Sequence, residues 1–116
     1  MCTDVEEVEL NRVLDAVCET GQVSRERLLS RSRTVPLPFL RFLCFRYLHE
    51  EAGQSLPMIG RSLGYSHATV LHGIRQVQVA AANKSYIEER ELMEKFERNI
   101  RHNQVDAGRR TLRPRG

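Results

Sequence analysis

The residues between Ser55 and Arg75 include many side chains that can hydrogen-bond. On a helix with about 100° per residue, one apolar arc is formed by Val70, Ile74 and Val77. The opposite arc carries Ala68, Thr69, His72, Arg75 and Gln76. Histidine and threonine hydrogen-bond to bases, arginine favours guanine, and small methyl groups contact the thymine methyl. This outer face is therefore typical of a helix that reads base edges in a major groove.

The two histidines of this helix each allow a second interpretation. His67 falls near the apolar arc and can be a partly buried histidine, but a first-turn side chain can also project off the helix end into a groove. His72 can be a solvated surface histidine. Neither has a carboxylate or cysteine at ligand spacing, so no metal site is predicted. The sequence shows no set of nucleophile, base and oxyanion donors, so we expect that the protein uses no cofactor and is not an enzyme.

These side chains are placed by two short amphipathic segments that a glycine separates. Ser55 can cap the first segment, and Pro57 follows at an early position where its missing N–H matters little. Gly64 supplies the turn because glycine tolerates positive φ. Ser66 can cap the second helix, which is expected to reach about Ala82. This succession predicts a helix-turn-helix.

Helical spacing of apolar residues predicts further helices around this unit. We expect them over residues 5–19, 25–30 and 38–51, and a last helix opened by a capping box at Ser85–Glu88. The third is apolar nearly all round, so the head groups of Arg41 and Arg46 are expected to reach the surface. The predicted fold class is all-α, a small bundle of about five to six helices. Residues 1–103 are expected to form the domain and residues 104–116 a basic, disordered tail.

Composition narrows the class of protein. A chain of 116 residues with 41% hydrophobic content suits one small folded domain. The sequence has no run that is long and apolar enough for a bilayer, and its acidic N-terminus is unlike a signal sequence, so a cytoplasmic location is predicted. The widely spaced Cys2, Cys18 and Cys44 match neither a zinc nor a disulfide pattern, and Cys18 and Cys44 are expected in the core.

Charge is segregated along the chain, although the net charge is only +3. Residues 1–20 hold six acids against one arginine, whereas residues 21–49 hold six arginines against one glutamate. Arginine is a planar, bidentate donor to phosphate, so this pattern favours a nucleic acid as the partner. A solvated basic surface would give the same charge pattern.

A specific family resemblance lies in Ser55–Gly60, Leu63–Gly64 and His67–Arg75. This string resembles the C-terminal DNA-binding domain of the bacterial replication initiator DnaA. That family has a Ser-Leu-x-x-Ile-Gly helix, a Phe-Gly-Gly turn and Arg-Asp-His-Thr-Thr-Val-Leu-His-Ala on its recognition helix. Residues 28–35 also resemble the basic loop of the family, and the likeness extends over roughly residues 8–100. We call residues 31–35, which carry its two arginines, the basic loop.

The resemblance implies that the chain binds double-stranded DNA. His67, Ala68 and Thr69 would face bases in the major groove, and Ser66 would lie at the start of the helix. Further along this helix, His72 would lie near a phosphate, and Arg75 is also an implied DNA-binding position. At the start of the preceding helix, Leu56 and Pro57 would approach the backbone or a thymine methyl, and Ser55 is an implied position beside them.

The resemblance also assigns arginines outside the helix-turn-helix. Arg31 or Arg33 of the basic loop would enter the adjacent minor groove, where a narrow A·T-rich sequence attracts guanidinium groups. Arg41 would hold a phosphate.

The chain departs from the family at three positions that would read bases. Tyr65 and Ser66 replace Arg-Asp, Ala68 replaces a threonine, and the turn is one residue shorter, so the target need not be the standard DnaA box. No Walker A sequence is present, hence no nucleotide is expected as a partner. The chain could be a free-standing relative without the AAA+ ATPase domain or a fragment of a longer protein, and the acidic segment that follows Met1 favours the free-standing relative.

Three function classes remain open at this point. The leading one is sequence-specific DNA binding in replication initiation or its regulation. An interaction module that binds a replication protein, and a transcription regulator or mobile-element protein that no longer reads a DnaA box, are the alternatives. The sequence has no heptad seam of useful length, so a monomer is expected.

Overall fold

The structure is a computed structural model that describes the backbone of residues 2–112 and the side chains of residues 8–101. This part of the chain forms six α-helices. Their bounds are α1 Cys2–Gly21, α2 Arg25–Leu28, α3 Leu37–Glu50, α4 Leu56–Leu63, α5 His67–Ala82 and α6 Ile87–Leu112. No strand occurs in this part of the chain, which confirms the all-α fold class. Among these helices, none is both long and apolar enough to cross a membrane.

Helix α3 is the centre of the core. It contacts all five other helices, and its contacts with α5 and α1 are more extensive than those with α2, α4 and α6. Its buried side chains include Leu40, Leu43, Phe45 and Leu48, as the apolar character of the segment predicts. Burial raises the pKa of the Cys44 thiol, which therefore stays protonated as a small core residue. Cys18 is half-buried against the same core.

Helix α6 covers the core beside α1. Met93, Phe96 and Ile100 are buried there, and the ring of Phe96 meets Tyr47 of α3 edge-on with centroids 5.9 Å apart. Asn99 donates from Nδ2 to Oγ1 of Thr20 on α1 over 2.9 Å. These contacts make α6 an integral part of the domain.

The start of α6 differs from the prediction. The helix begins at Ile87, and the hydroxyl of Ser85 donates to Oδ1 of Asn83 over 2.7 Å instead of forming the predicted capping box. At the other end the helix reaches Leu112, past residue 103. Side chains from residue 102 and all of residues 113–116 lie outside the described part, so the division into a domain 1–103 and a tail 104–116 stays a prediction.

The position of the Arg41 side chain also differs from the prediction. Its side chain is only 7% exposed, because α2 packs over this part of α3 and Nε donates to the carbonyl oxygen of Leu28 over 2.6 Å. The prediction that its head group reaches the surface is wrong. Arg46 is half-buried and pairs with Glu50 at 3.1 Å.

Candidate nucleic-acid interface

The helix-turn-helix consists of α4, a tight turn and α5. The hydroxyl of Ser55 accepts a hydrogen bond from the backbone N–H of Met58 over 3.2 Å and thus caps α4. Gly64 ends α4 with a φ of 84°, the left-handed conformation that glycine adopts without strain. The hydroxyl of Ser66 then accepts from the N–H of Thr69 over 3.2 Å and caps α5. Both caps and the turn lie where the sequence predicts them.

Two glycines allow neighbouring segments to approach the helix-turn-helix closely. A Cβ atom on Gly60 would collide with the carbonyl oxygen of Tyr65, so the turn folds back directly onto α4. A Cβ atom on Gly73 would lie 2.5 Å from Cδ1 of Phe42 and 2.8 Å from Cδ2 of Phe45, so α5 rests on the rings of α3. The first contact holds the turn against α4, and the second packs α5 closely against α3.

The outward face of α5 matches the predicted arc. Val70, Ile74 and Val77 are buried against the core. The side chains predicted to bind DNA are exposed on the other side: Ser66, His67, Ala68, Thr69, His72 and Arg75. Because His67 is exposed, the interpretation of it as a partly buried histidine is wrong. The ring of His72 stands edge-on to Phe42, with centroids 5.9 Å apart.

The start of α4 lies on the same helix-turn-helix unit. Ser55 and Pro57 are exposed, whereas Leu56 is half-buried and packs against the core. Arg41 does not reach the surface, so the structure does not bring it together with these residues. Among the described residues, no three histidine, cysteine, aspartate or glutamate side chains lie together in a way that could hold a metal ion.

The basic loop lies against the turn between α4 and α5. Arg31 donates from Nη2 to the carbonyl oxygen of Gly64 over 2.9 Å, and its guanidinium lies 4.7 Å from the ring centroid of Tyr65. Arg33 is exposed, and none of the described side chains pairs with it. The loop therefore brings positive charge next to the N-terminal end of α5, as a DNA-binding surface requires.

Comparison with known protein families decides the class of this domain. The sequence profile described as "Bacterial dnaA protein helix-turn-helix" matches residues 10–77, more than half of the chain. The chain belongs to this DnaA helix-turn-helix family. The matched residues run from within α1 to within α5, so they include α4, the turn and most of α5, whereas α6 lies outside them. The helix-turn-helix of this family is a DNA-binding domain.

Individual relatives of this DnaA-type domain are chromosomal replication initiator proteins DnaA. The protein of Leptospira biflexa is 40% identical over 62 residues, which are 53% of this chain and 14% of the relative. That of Xanthobacter autotrophicus is 33% identical over 96 residues, 81% of this chain and 19% of the relative. The chain thus spans less than a fifth of the length of these relatives. The comparison with solved structures found no significant match.

Tyr65 is a residue of the DnaA-type domain whose role the sequence did not reveal. It follows the turn glycine, where the family has an arginine, and its ring packs edge-on against Phe45 with centroids 5.5 Å apart. An aromatic residue directly after a turn was the available signal, but its partner Arg31 is distant in sequence. Only the fold brings these two side chains together.

Proposed function

We propose that this DnaA-type domain binds double-stranded DNA sequence-specifically, with α5 in the major groove and the basic loop in the adjacent minor groove. The observation that carries the proposal is the exposed, capped N-terminal turn of α5. His67, Ala68 and Thr69 are all exposed there, while Val70 anchors the same turn in the core. Helices that enter the major groove contact base edges with these N-terminal residues.

Contacts to the DNA backbone fix the docking angle in this proposal. The positive end of α5 and its exposed Arg75 favour phosphates on one side of the groove. Ser55 and Pro57, exposed at the start of α4, approach the neighbouring strand, and His72 lies near a phosphate. An arginine of the basic loop enters the minor groove, where A·T-rich sequence offers the most negative potential.

The target is a site related to the DnaA box, and the process is replication initiation or its regulation. Support comes from the relatives, which are named chromosomal replication initiators, although each is matched over only a small part of its length. The changed residues Tyr65, Ser66 and Ala68 lie where bases would be read, so the preferred site need not be the standard box. The protein would act at the nucleoid, as a monomer.

Selection of duplexes from a random library tests this function. The wild type should enrich one motif, and His67→Ala should lower affinity for the selected duplex by about 1–3 kcal/mol while changing binding to random DNA little. Gln78→Ala is the matched control: Gln78 is exposed on the same helix but donates to Glu50 of α3. Recovery of random sequences by the wild type would refute sequence-specific binding. Equal losses on both DNAs would remove His67 from base reading.

A further inference from the structure

We propose that the hydroxyl groups of Ser66 and Thr69 act as one unit that donates a hydrogen bond to an acceptor atom of a base, a keto oxygen or a purine N7. This inference rests on the proposed function, because it concerns the chemistry of the same reading surface. It makes the two residues specificity-determining through the direction of their hydrogen bond. An aspartate in place of the serine would reverse that direction.

The two hydroxyl groups lie against each other at the exposed start of α5. Oγ of Ser66 is 3.0 Å from Oγ1 of Thr69, and it also accepts the backbone N–H of Thr69 over 3.2 Å. The backbone of Ser66 is extended, with φ −73° and ψ 158°, as is usual for a residue that caps a helix. Both side chains are exposed, whereas the next residue, Val70, is fully buried. The pair is therefore held at the surface by a turn that is anchored in the core.

A count of protons shows that the pair keeps one free donor. It has two hydroxyl protons, and the bond between the two oxygens uses one of them, whichever hydroxyl donates. The N–H of Thr69 occupies an acceptor site of Ser66 and uses no hydroxyl proton. Among the described residues, neither hydroxyl donates to a further partner. The remaining proton is thus available to a ligand, on Thr69 if Ser66 donates and on Ser66 if Thr69 donates.

The position of the pair favours an acceptor atom as its partner on DNA. The N-terminal end of a helix carries partial positive charge, which attracts electronegative atoms and disfavours amino groups. In the major groove the acceptors are the keto oxygens of guanine and thymine and N7 of the purines, whereas cytosine and adenine offer amino donors. The free hydroxyl proton of the pair lies at such a helix end, so it suits the acceptors.

An aspartate at the position of Ser66 would have the opposite chemistry. A carboxylate has no proton to give, so Thr69 would donate its own proton to the carboxylate and the unit would present only acceptors. Carboxylates accept from base amino groups. Aspartate is as good a helix cap as serine, so Ser66→Asp should change the chemistry of the pair and leave α5 folded.

Single removals should leave part of the donor function, because the two hydroxyls replace each other. Ser66→Ala leaves the hydroxyl of Thr69 free to donate, and Thr69→Val leaves the hydroxyl of Ser66 as both cap and donor. The double variant Ser66→Ala/Thr69→Val has no hydroxyl donor left. The two substitutions are therefore expected to be non-additive in base reading.

Duplexes with altered bases test the direction of the hydrogen bond. Selection from a random library with the wild type and the double variant first identifies the base pair at which only the wild type has a preference. Affinities are then measured on duplexes that carry, at this base pair, base analogues lacking either the acceptor atom or the amino group. The proteins are the wild type, the two single variants, the double variant and Ser66→Asp. Urea unfolding of each variant reports loss of the helix cap separately.

For the wild type, loss of the acceptor atom should lower affinity roughly three- to tenfold, as expected for one hydrogen bond, and loss of the amino group should have little effect. The dependence on the acceptor should weaken in each single variant and disappear in the double variant. In Ser66→Asp the amino group should matter instead of the acceptor.

Three outcomes separate this inference from the function on which it rests. A wild type that depends on the amino group alone would overturn the inference, and so would Ser66→Asp with the same dependence as the wild type. A double variant that selects the wild-type motif at every base pair would also overturn it, with sequence-specific binding intact. A wild type that selects no motif at all would instead refute the proposed function itself.

Discussion

Gly73→Ala is a substitution for which helix propensity and tertiary packing predict opposite changes in stability. The family signature has alanine at this position, and alanine in a helix interior is favoured over glycine by about 1 kcal/mol. Local propensity therefore predicts a more stable protein. The structure predicts the reverse, because the added Cβ would meet Cδ1 of Phe42 at 2.5 Å and Cδ2 of Phe45 at 2.8 Å.

The size of the destabilisation depends on how far each phenylalanine ring can move away from the added methyl group. Phe45 is only 1% exposed and cannot turn aside, whereas Phe42 is half-buried and can give partly. Overpacking of this kind costs about 1–3 kcal/mol, so after the propensity gain we expect the free energy of unfolding to fall by up to about 2 kcal/mol. Since His72 stands edge-on to Phe42, a shift of that ring should also weaken DNA binding.

Urea unfolding followed by circular dichroism measures this effect. Ala81→Gly, at an exposed position of the same helix, serves as the control that reports helix propensity without a clash. In the Phe42→Ala background, Gly73→Ala should cost about 1 kcal/mol less than in the wild type, because one of the two clashes is gone. An increase in stability on Gly73→Ala in the wild-type background would refute the close approach of α5 to α3.

Three further outcomes test the caps, the core and the charge of the domain. Ser66→Ala should lower the free energy of unfolding by about 1 kcal/mol, because the cap to the N–H of Thr69 is lost. The control Ser62→Ala, on the exposed side of α4, should change this free energy little. Equal effects of the two substitutions in urea titrations would argue against the cap. Phe96→Ala should cost about 3–5 kcal/mol in the same assay, since the side chain is buried against Tyr47, and an unchanged midpoint would mean that α6 does not pack on the core. Affinity for duplex DNA should fall steeply with salt concentration in a binding titration, and a flat dependence would favour a protein-interaction module.

Much of the helix-turn-helix could be predicted because its determinants are local. Ser55 and Ser66 each bond to a backbone N–H three residues ahead, and Gly64 adopts positive φ within its own turn. Helical periodicity alone separates the buried arc of α5 from the exposed one. The prediction failed at Ser85, where another local partner, Asn83, takes the hydroxyl.

The family resemblance carried the assignment of function further than residue chemistry could. Charge and exposed polar groups fit a solvated basic surface as well as a DNA-binding one. The match over residues 10–77 removes that ambiguity for the class of domain, and it leaves the roles of individual side chains to experiment.

The sequence by itself determined the all-α class, the two capped helices of the motif and the face of α5 that points outward, because neighbours within one helical turn decide each of these. Only the tertiary structure decided where the arginines go. Arg41 turns inward to a carbonyl 13 residues away, and Arg31 reaches a carbonyl 33 residues away. A basic side chain reads the same in sequence whether it ends in the core, on a tyrosine or in solvent, since only packing between distant segments distinguishes these environments.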